Sequence, residues 1–332
     1  MPESRSAESI QPAAFPIRCI RDKRQAEEQL VYLASRTVNE QQRAARQRVD
    51  AILDDVRQRG DAAVRDYTER FDGFRPDPIA VDESELERAW IGLSKDLRDA
   101  LELAHRRIQD FHQRQRPSDL VMKGVHGEQL GRRWRPVQRA GLYVPGGRAA
   151  YPSTVLMNAV PARVAGVEEI VIASPAGPDG QVNQVVLAAA HLVGIRTVLR
   201  IGGAQAIGAM ACGTDSVPKV DVISGPGNVY VTLAKQAVYG QVGIDSLAGP
   251  SEVLVIADQS ANPGHVAADL LAQAEHDPLA AAVLLTTSPE LANTIGGELS
   301  QQLSDHPRRE ICEESLSKWG LVVVCDDLEQ CA

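Results

Sequence analysis

At 332 residues the chain is long enough for about two domains, and its formal net charge of -9 has the wrong sign for nucleic acid or an anionic membrane surface, both of which select a basic face. No stretch reaches about eighteen uncharged apolar residues, and the polar opening MPESRSAESIQ has no apolar core of signal-peptide type, so a soluble cytoplasmic protein is expected. The five cysteines, Cys19, Cys212, Cys312, Cys325 and Cys331, are scattered without a CxxC pair, which indicates neither a disulfide framework nor a thiolate metal site.

Residues 1–25 carry no clear periodicity and are expected to form an arm. From Val38 the pattern turns helical. Val49, Ile52, Leu53 and Val56 fall at i, i+3, i+4 and i+7, and Gly60 stands where a C-terminal cap belongs. Asp61 is expected to cap the next helix, which carries Val64, Tyr67 and Phe71 and closes at Gly73. Ser94 is an N-cap candidate for a third helix whose stripe is Leu97, Leu101, Ala104, Ile108 and Phe111.

After about Arg135 short apolar runs alternate with glycine-rich turns and small-residue helices, the pattern of βαβ units on a largely parallel sheet. Helices are expected over 154–165, 182–192, 204–210 and 229–238, with strands at 169–173, 197–201 and 221–224. Residues 169–201 and 252–286 repeat a strand, helix, strand order, as in a duplicated α/β protein. The fold class is therefore α/β, with two Rossmann-like βαβ domains, a cleft between them and N-terminal helices. The expected division is an arm at 1–37, a discontinuous domain of 38–139 with 250–332, and an inserted domain at 140–249.

Two groups of residues can carry chemistry. Glycine-rich turns after strands present backbone N–H groups at helix N-termini, where pyrophosphate binds, although Tyr230 occupies the third glycine position of the Gly225-Pro226-Gly227 turn. Tyr143, Gln205 and Asn228 lie in or just after such turns, as ring-stacking and ribose-bonding groups or as turn-stabilising residues. The second group follows a strand at 253–257, read as buried, and a helix at 263–276. Gln273 and His276 sit three apart on its last turn before Pro278, one offering a carbonyl oxygen and the other an imidazole nitrogen. Taken alone, a histidine near a helix end is more often a capping or solvated residue than a ligand.

The ordered segments GLYVPGG (141–147), YPSTVLMNAVPA (151–162), GGAQAI (202–207), GTDSVPKVD (213–221), GPGN (225–228), GIDSLAGPSEVLVIAD (243–258) and LLAQAEHDP (270–278) resemble those of the histidinol dehydrogenase family, and the resemblance runs from Val38 to the end. It implies a cytoplasmic homodimer that uses zinc and two NAD in succession to oxidise L-histidinol through an aldehyde to L-histidine. By that resemblance Tyr143, Gln205 and Asn228 contact NAD, Ser251 contacts substrate, and Gln273 and His276 bind both zinc and substrate. Glu275, between the two ligands, points elsewhere on the helix. The family's Glu-His pair, which activates water and moves protons, belongs to a Pro-Glu-His-Leu segment beyond the region matching 321–332, and the family's two remaining zinc ligands, an Asp and a His, lie further along still. No catalytic residue is therefore assigned, and a chain ending at Ala332 is expected to be an inactive truncated product whose metal shell is incomplete. The alternatives are a zinc- and NAD-linked dehydrogenase of another small polar alcohol, such as a sulfonated diol, or a non-catalytic paralogue.

Overall fold

The structure is a computed structural model that describes residues 14–35, 40–146, 151–247 and 251–332. Gly147, Gly249 and Pro250, the first part of the expected arm and the expected helix start at Val38 lie outside the described residues. In chain order the elements are β1 (Arg18–Ile20), α1 (Lys23–Ser35), α2 (Glu40–Arg59), α3 (Asp61–Asp72), α4 (Glu83–Gly92), α5 (Lys95–Gln113), β2 (Leu120–Lys123), β3 (Gln129–Arg132), β4 (Arg139–Tyr143), α6 (Pro152–Ala165), β5 (Glu169–Ala173), α7 (Gln184–Leu192) and β6 (Thr197–Leu199). There follow α8 (Gly203–Cys212), β7 (Val222–Ser224), α9 (Val229–Val238), β8 (Gly243–Ile244), β9 (Glu252–Ala257), α10 (Pro263–Ala274), β10 (Ala281–Thr286), α11 (Pro289–Leu303), α12 (Arg309–Trp319), β11 (Leu321–Val324) and α13 (Leu328–Cys331).

Two compact units result, one of 40–247 and one joining 1–39 to 248–332. The larger unit holds a parallel sheet in the order β6-β5-β4-β7-β8. The central strands β4 and β5 are buried on both faces, as parallel strands are, and β5 shows how. Val171 and Ala173 pack with Val49 and Ile52 of α2, Val64 of α3 and Met210 of α8, while Ile170 and Ile172 pack with Leu86 of α4, Leu101 of α5 and Leu156 of α6. The sheet order therefore depends on the four N-terminal helices as cover. The expected grouping of 38–139 with 250–332 differs from this division, because the apolar stripes of α2 to α5 have their partners on the β4–β8 sheet. β2 and β3 form a hairpin with every strand residue exposed.

Local signals bound these helices as expected in three cases, the first being Gly60, which follows α2 with φ 55° and returns its N–H to the Val56 carbonyl. Gly73 adopts a left-handed conformation at φ 71° and returns its N–H to Glu69, and the Ser94 side chain accepts from Leu97 N–H. Asp61 does something else. It is the first residue of α3, whose cap Gly60 makes no side-chain hydrogen bond, and its carboxylate accepts instead from the hydroxyls of Thr214 and Ser216 and from Ser216 N–H. Burial would push that carboxyl up, but these donors and Arg65 hold it below the usual range. The acid thus ties α3 to the turn after α8.

The smaller unit carries a parallel sheet in the order β1-β11-β10-β9, covered by α10, α11 and α12. The arm expected at 1–37 is more structured than its sequence suggests. β1 pairs with β11, and Ile20 and Ala26 pack with Val283, Leu285, Leu321 and Val323. β9, read as a buried strand, lies at the sheet edge with Leu254 52% and Ile256 45% exposed. An edge strand buries only the face turned to its covering helix, and the alternating exposure follows from that. The strand, helix, strand repeat holds, since β5 pairs in parallel with β6 and β9 with β10. Among the described residues no helix is long and apolar enough to cross a membrane.

Candidate active site

In the larger unit, β4, β5 and β6 step outward in one direction, and the chain then returns past β4 to place β7 and β8 on its other side. That reversal is a topological switch point, where loops at the carboxyl ends of β4 and β7 diverge and leave a crevice. A cavity of about 820 Å³ opens there, lined by Tyr143, Gln205, Asn228, Tyr230, Pro175 and Asp72 among others. Its size falls within the range of about 300–1,000 Å³ usual for small-molecule pockets. Three residues far apart in sequence, Tyr143, Gln205 and Asn228, thus share one wall.

Tyr143 ends β4 and is 4% exposed. Its hydroxyl accepts from Gly203 N–H at 3.1 Å, which satisfies one of the orphan donors at the start of α8. Burial pushes the phenol up in pKa against that bond, and the charge of Asp72 adds to the rise. Gln205, in the first turn of α8, is 1% exposed, and neither its Oε1 nor its Nε2 has a partner. A fully buried amide with both ends unpaired costs about 1–3 kcal/mol per group and calls for a ligand. Glycine at 203 makes room for it, because φ is 62° and an added Cβ would stand 2.7 Å from Gln205 Oε1. Asn228 caps α9 by accepting from Tyr230 and Val231 N–H, which leaves its Nδ2 as a donor for whatever enters.

The loop bearing Asn228 is braced from behind. Lys235 is 4% exposed and bonds both the Gly225 carbonyl and the Asp245 carboxylate, whose other oxygen accepts from Gly225 N–H at 2.8 Å. Burial would raise Asp245, yet Lys235 and the backbone donors hold it below the usual carboxylate range. Gly225 itself has φ 121°, and a Cβ there would meet the Tyr143 carbonyl at 2.1 Å. The turns after β4 and β7 therefore pack backbone to backbone.

Asp72, the last residue of α3, was not among the expected site residues. Its Oδ2 is buried without a partner, and burial raises its pKa to about 6. A signal existed in the sequence: a carboxylate at a helix C-terminus opposes the macrodipole, so a helix-ending acid needs some other reason to be there.

In the smaller unit, the expected zinc pair stands less completely. α10 ends at Ala274, with Glu275 as its cap, so His276 lies in the turn past the helix and not on its last turn. The half-buried Gln273 has a buried Nε2 without a partner, while His276 is exposed. The turn is fixed by His276 N–H donating to the Gln273 carbonyl at 3.2 Å and Arg308 donating to the His276 carbonyl at 3.4 Å. Glu275 points elsewhere as expected, its Oε2 lying 3.6 Å from His306 Nε2. Ser251 is exposed just ahead of β9. Among the described residues there is no group of three His, Cys, Asp or Glu side chains able to hold a metal; Gln273 and His276 carry an amide oxygen and an imidazole, two donors where a zinc shell takes about four.

The family model described as histidinol dehydrogenase matches residues 35–332. The chain belongs to the histidinol dehydrogenase family. It is 75% identical over all 332 residues to the histidinol dehydrogenase of Parasynechococcus marenigrum (strain WH8102), and 67% identical to that of Prochlorococcus marinus (strain MIT 9313), covering 75% of the length of each. The crystal structure of histidinol dehydrogenase from Elizabethkingia anophelis superimposes with a TM-score of 0.85 at 36% identity, covering 95% of this chain and 72% of that one. The α/β fold with parallel sheets and the reading as an oxidoreductase of histidine biosynthesis stand with histidinol dehydrogenase membership.

Proposed function

We propose that the 40–247 unit binds NAD in its switch-point cavity, in the service of a zinc-dependent oxidation of L-histidinol through the aldehyde to L-histidine. The observation that carries this reading is the buried Gln205 amide, which faces a cavity of about 820 Å³ with neither polar end satisfied. The Tyr143 hydroxyl is held by Gly203, so its ring offers a fixed apolar face beside that amide. The Asn228 cap places a donor at the N-terminus of α9, where the helix dipole favours an anionic pyrophosphate. When bound, NAD supplies the hydride acceptor. Gln273 Oε1 and the His276 ring would hold zinc, which supplies Lewis acidity at the substrate hydroxyl, and the exposed Ser251 Oγ would hydrogen-bond the substrate. Family membership supports a cytoplasmic homodimer.

The test is an NADH fluorescence titration of the wild-type chain and of Gln205→Leu. Removing a buried unpaired amide should leave the apo protein as stable or more stable, while NADH affinity falls about tenfold or more as the amide's bonds to the cofactor are lost. Equal affinity in a folded variant would show that the cavity is not the NAD site.

A further inference from the structure

In a parallel sheet of this order, the acid that reads the ribose of a dinucleotide ends the second strand, next to the central one. β5 occupies that place, and it runs out through Ala173-Ser174-Pro175-Ala176 without a carboxylate. Pro175 and Ala176 nevertheless line the cavity, so the end of β5 is part of its wall. Among the described residues that line it, Asp72 is the one acid.

The end of α3 is brought to the loop after β5 by direct packing. Gly180 in that loop lies against the ring of Phe74, two residues past Asp72, so closely that an added Cβ would stand 2.5 Å from Phe74 Cε2. Asp72 therefore reaches the cavity beside the same loop that would carry the ribose-reading acid. Its Oδ2 is buried and unpaired, and its charge is felt at Tyr143, which ends the neighbouring strand β4 in register with Ala173 of β5. A buried carboxylate oxygen without a donor is costly, and a hydroxyl donor from a ligand would satisfy it.

We infer that Asp72 accepts hydrogen bonds from the hydroxyls of the adenosine ribose of NAD, supplying from α3 the acid that β5 lacks, and that it disfavours cofactors bearing a 2′-phosphate. This rests on the cavity being the NAD site. The selectivity has two parts: a hydroxyl satisfies the orphan oxygen, whereas a phosphate at the same position places two anions together in a confined wall.

The experiment titrates NADH and NADPH into the wild-type chain and into Asp72→Asn, with folding followed by circular dichroism. The wild type should bind NADH at least about tenfold more tightly than NADPH. Asp72→Asn should weaken NADH by about tenfold while leaving NADPH unchanged or tighter, so that the preference collapses. A merely structural role would move both cofactors by one factor, and that outcome overturns the inference, as does an unchanged NADH affinity. Absence of NADH binding in the wild type would instead remove the reading of the cavity, and the role of Asp72 with it. If Asp72→Asn does not fold, Asp72→Ser gives the same comparison, because its short side chain cannot reach the ribose and carries no charge.

Discussion

Replacing Asp72 by asparagine should stabilise the protein without ligand, and the gain should depend on pH in a defined way. The carboxyl has its pKa raised by burial to about 6, against 3.8 for the free group. The folded state therefore favours the protonated acid. The wild type carries no penalty below about pH 4, accumulates one as pH rises from about 4 to 6, and carries the whole of it above that. At 1.36 kcal/mol per pH unit the gap is worth about 3 kcal/mol, which solvent contact at this partly exposed side chain lowers to about 2 kcal/mol. The charged or titratable groups that line the same cavity are Arg48, Tyr67, Arg70, Tyr143 and Tyr230. For a unit of about two hundred residues, 2 kcal/mol corresponds to about 4–8 °C in Tm. Calorimetry of both proteins from pH 4 to 7.5 should show their Tm values converging at the acid end and the variant leading at the other. A gap that is constant across the range, or a wild type that is more stable at pH 7.5, would refute the argument that burial of an unpaired carboxylate dominates at this position.

Lys235→Met leaves Asp245 partly buried without its cation, and thermal denaturation should register a loss of about 1–3 kcal/mol together with weaker NADH binding as the Gly225 loop loosens. Gly225→Ala places a Cβ against the Tyr143 carbonyl, so the two loops must part; a fall in both Tm and NADH affinity is expected, and wild-type values would deny the close approach. Asp61→Ala strips two hydroxyls and an N–H of their acceptor and should cost about 1–3 kcal/mol in a urea titration, with no change in cofactor preference. For zinc, competition with a chromogenic chelator should show the Gln273→Ala and His276→Ala double variant binding about tenfold more weakly or worse; undiminished affinity would remove both residues from the metal site.

Much of the larger unit follows from neighbours along the chain. Gly73 and Ser94 set helix ends because capping is a local hydrogen-bond transaction, and α9 begins at Val229 because Asn228 precedes it. The glycine-rich turns place Tyr143, Gln205 and Asn228 at strand and helix ends from sequence alone, while their spacing leaves open a turn-stabilising or a ligand-binding role. What the sequence alone could not decide is which long-range partner wins. Asp61 reads as a cap, yet the hydroxyls of Thr214 and Ser216, more than 150 residues away, take its carboxylate. β1 looks unpatterned because a three-residue edge strand is too short for periodicity, and only pairing with Leu321, Val322 and Val323 makes it one. Leu254 and Ile256 belong to an apolar run that reads as buried, and the edge position of β9 exposes them. Asp72 is the sharpest case: its sequence neighbours describe a helix end, while the cavity formed by the folded unit makes it an acid with a buried, unpaired oxygen in the lining. Capping and periodicity act over a few residues and are written in order; burial and charge pairing depend on surfaces that exist only once the sheet has closed.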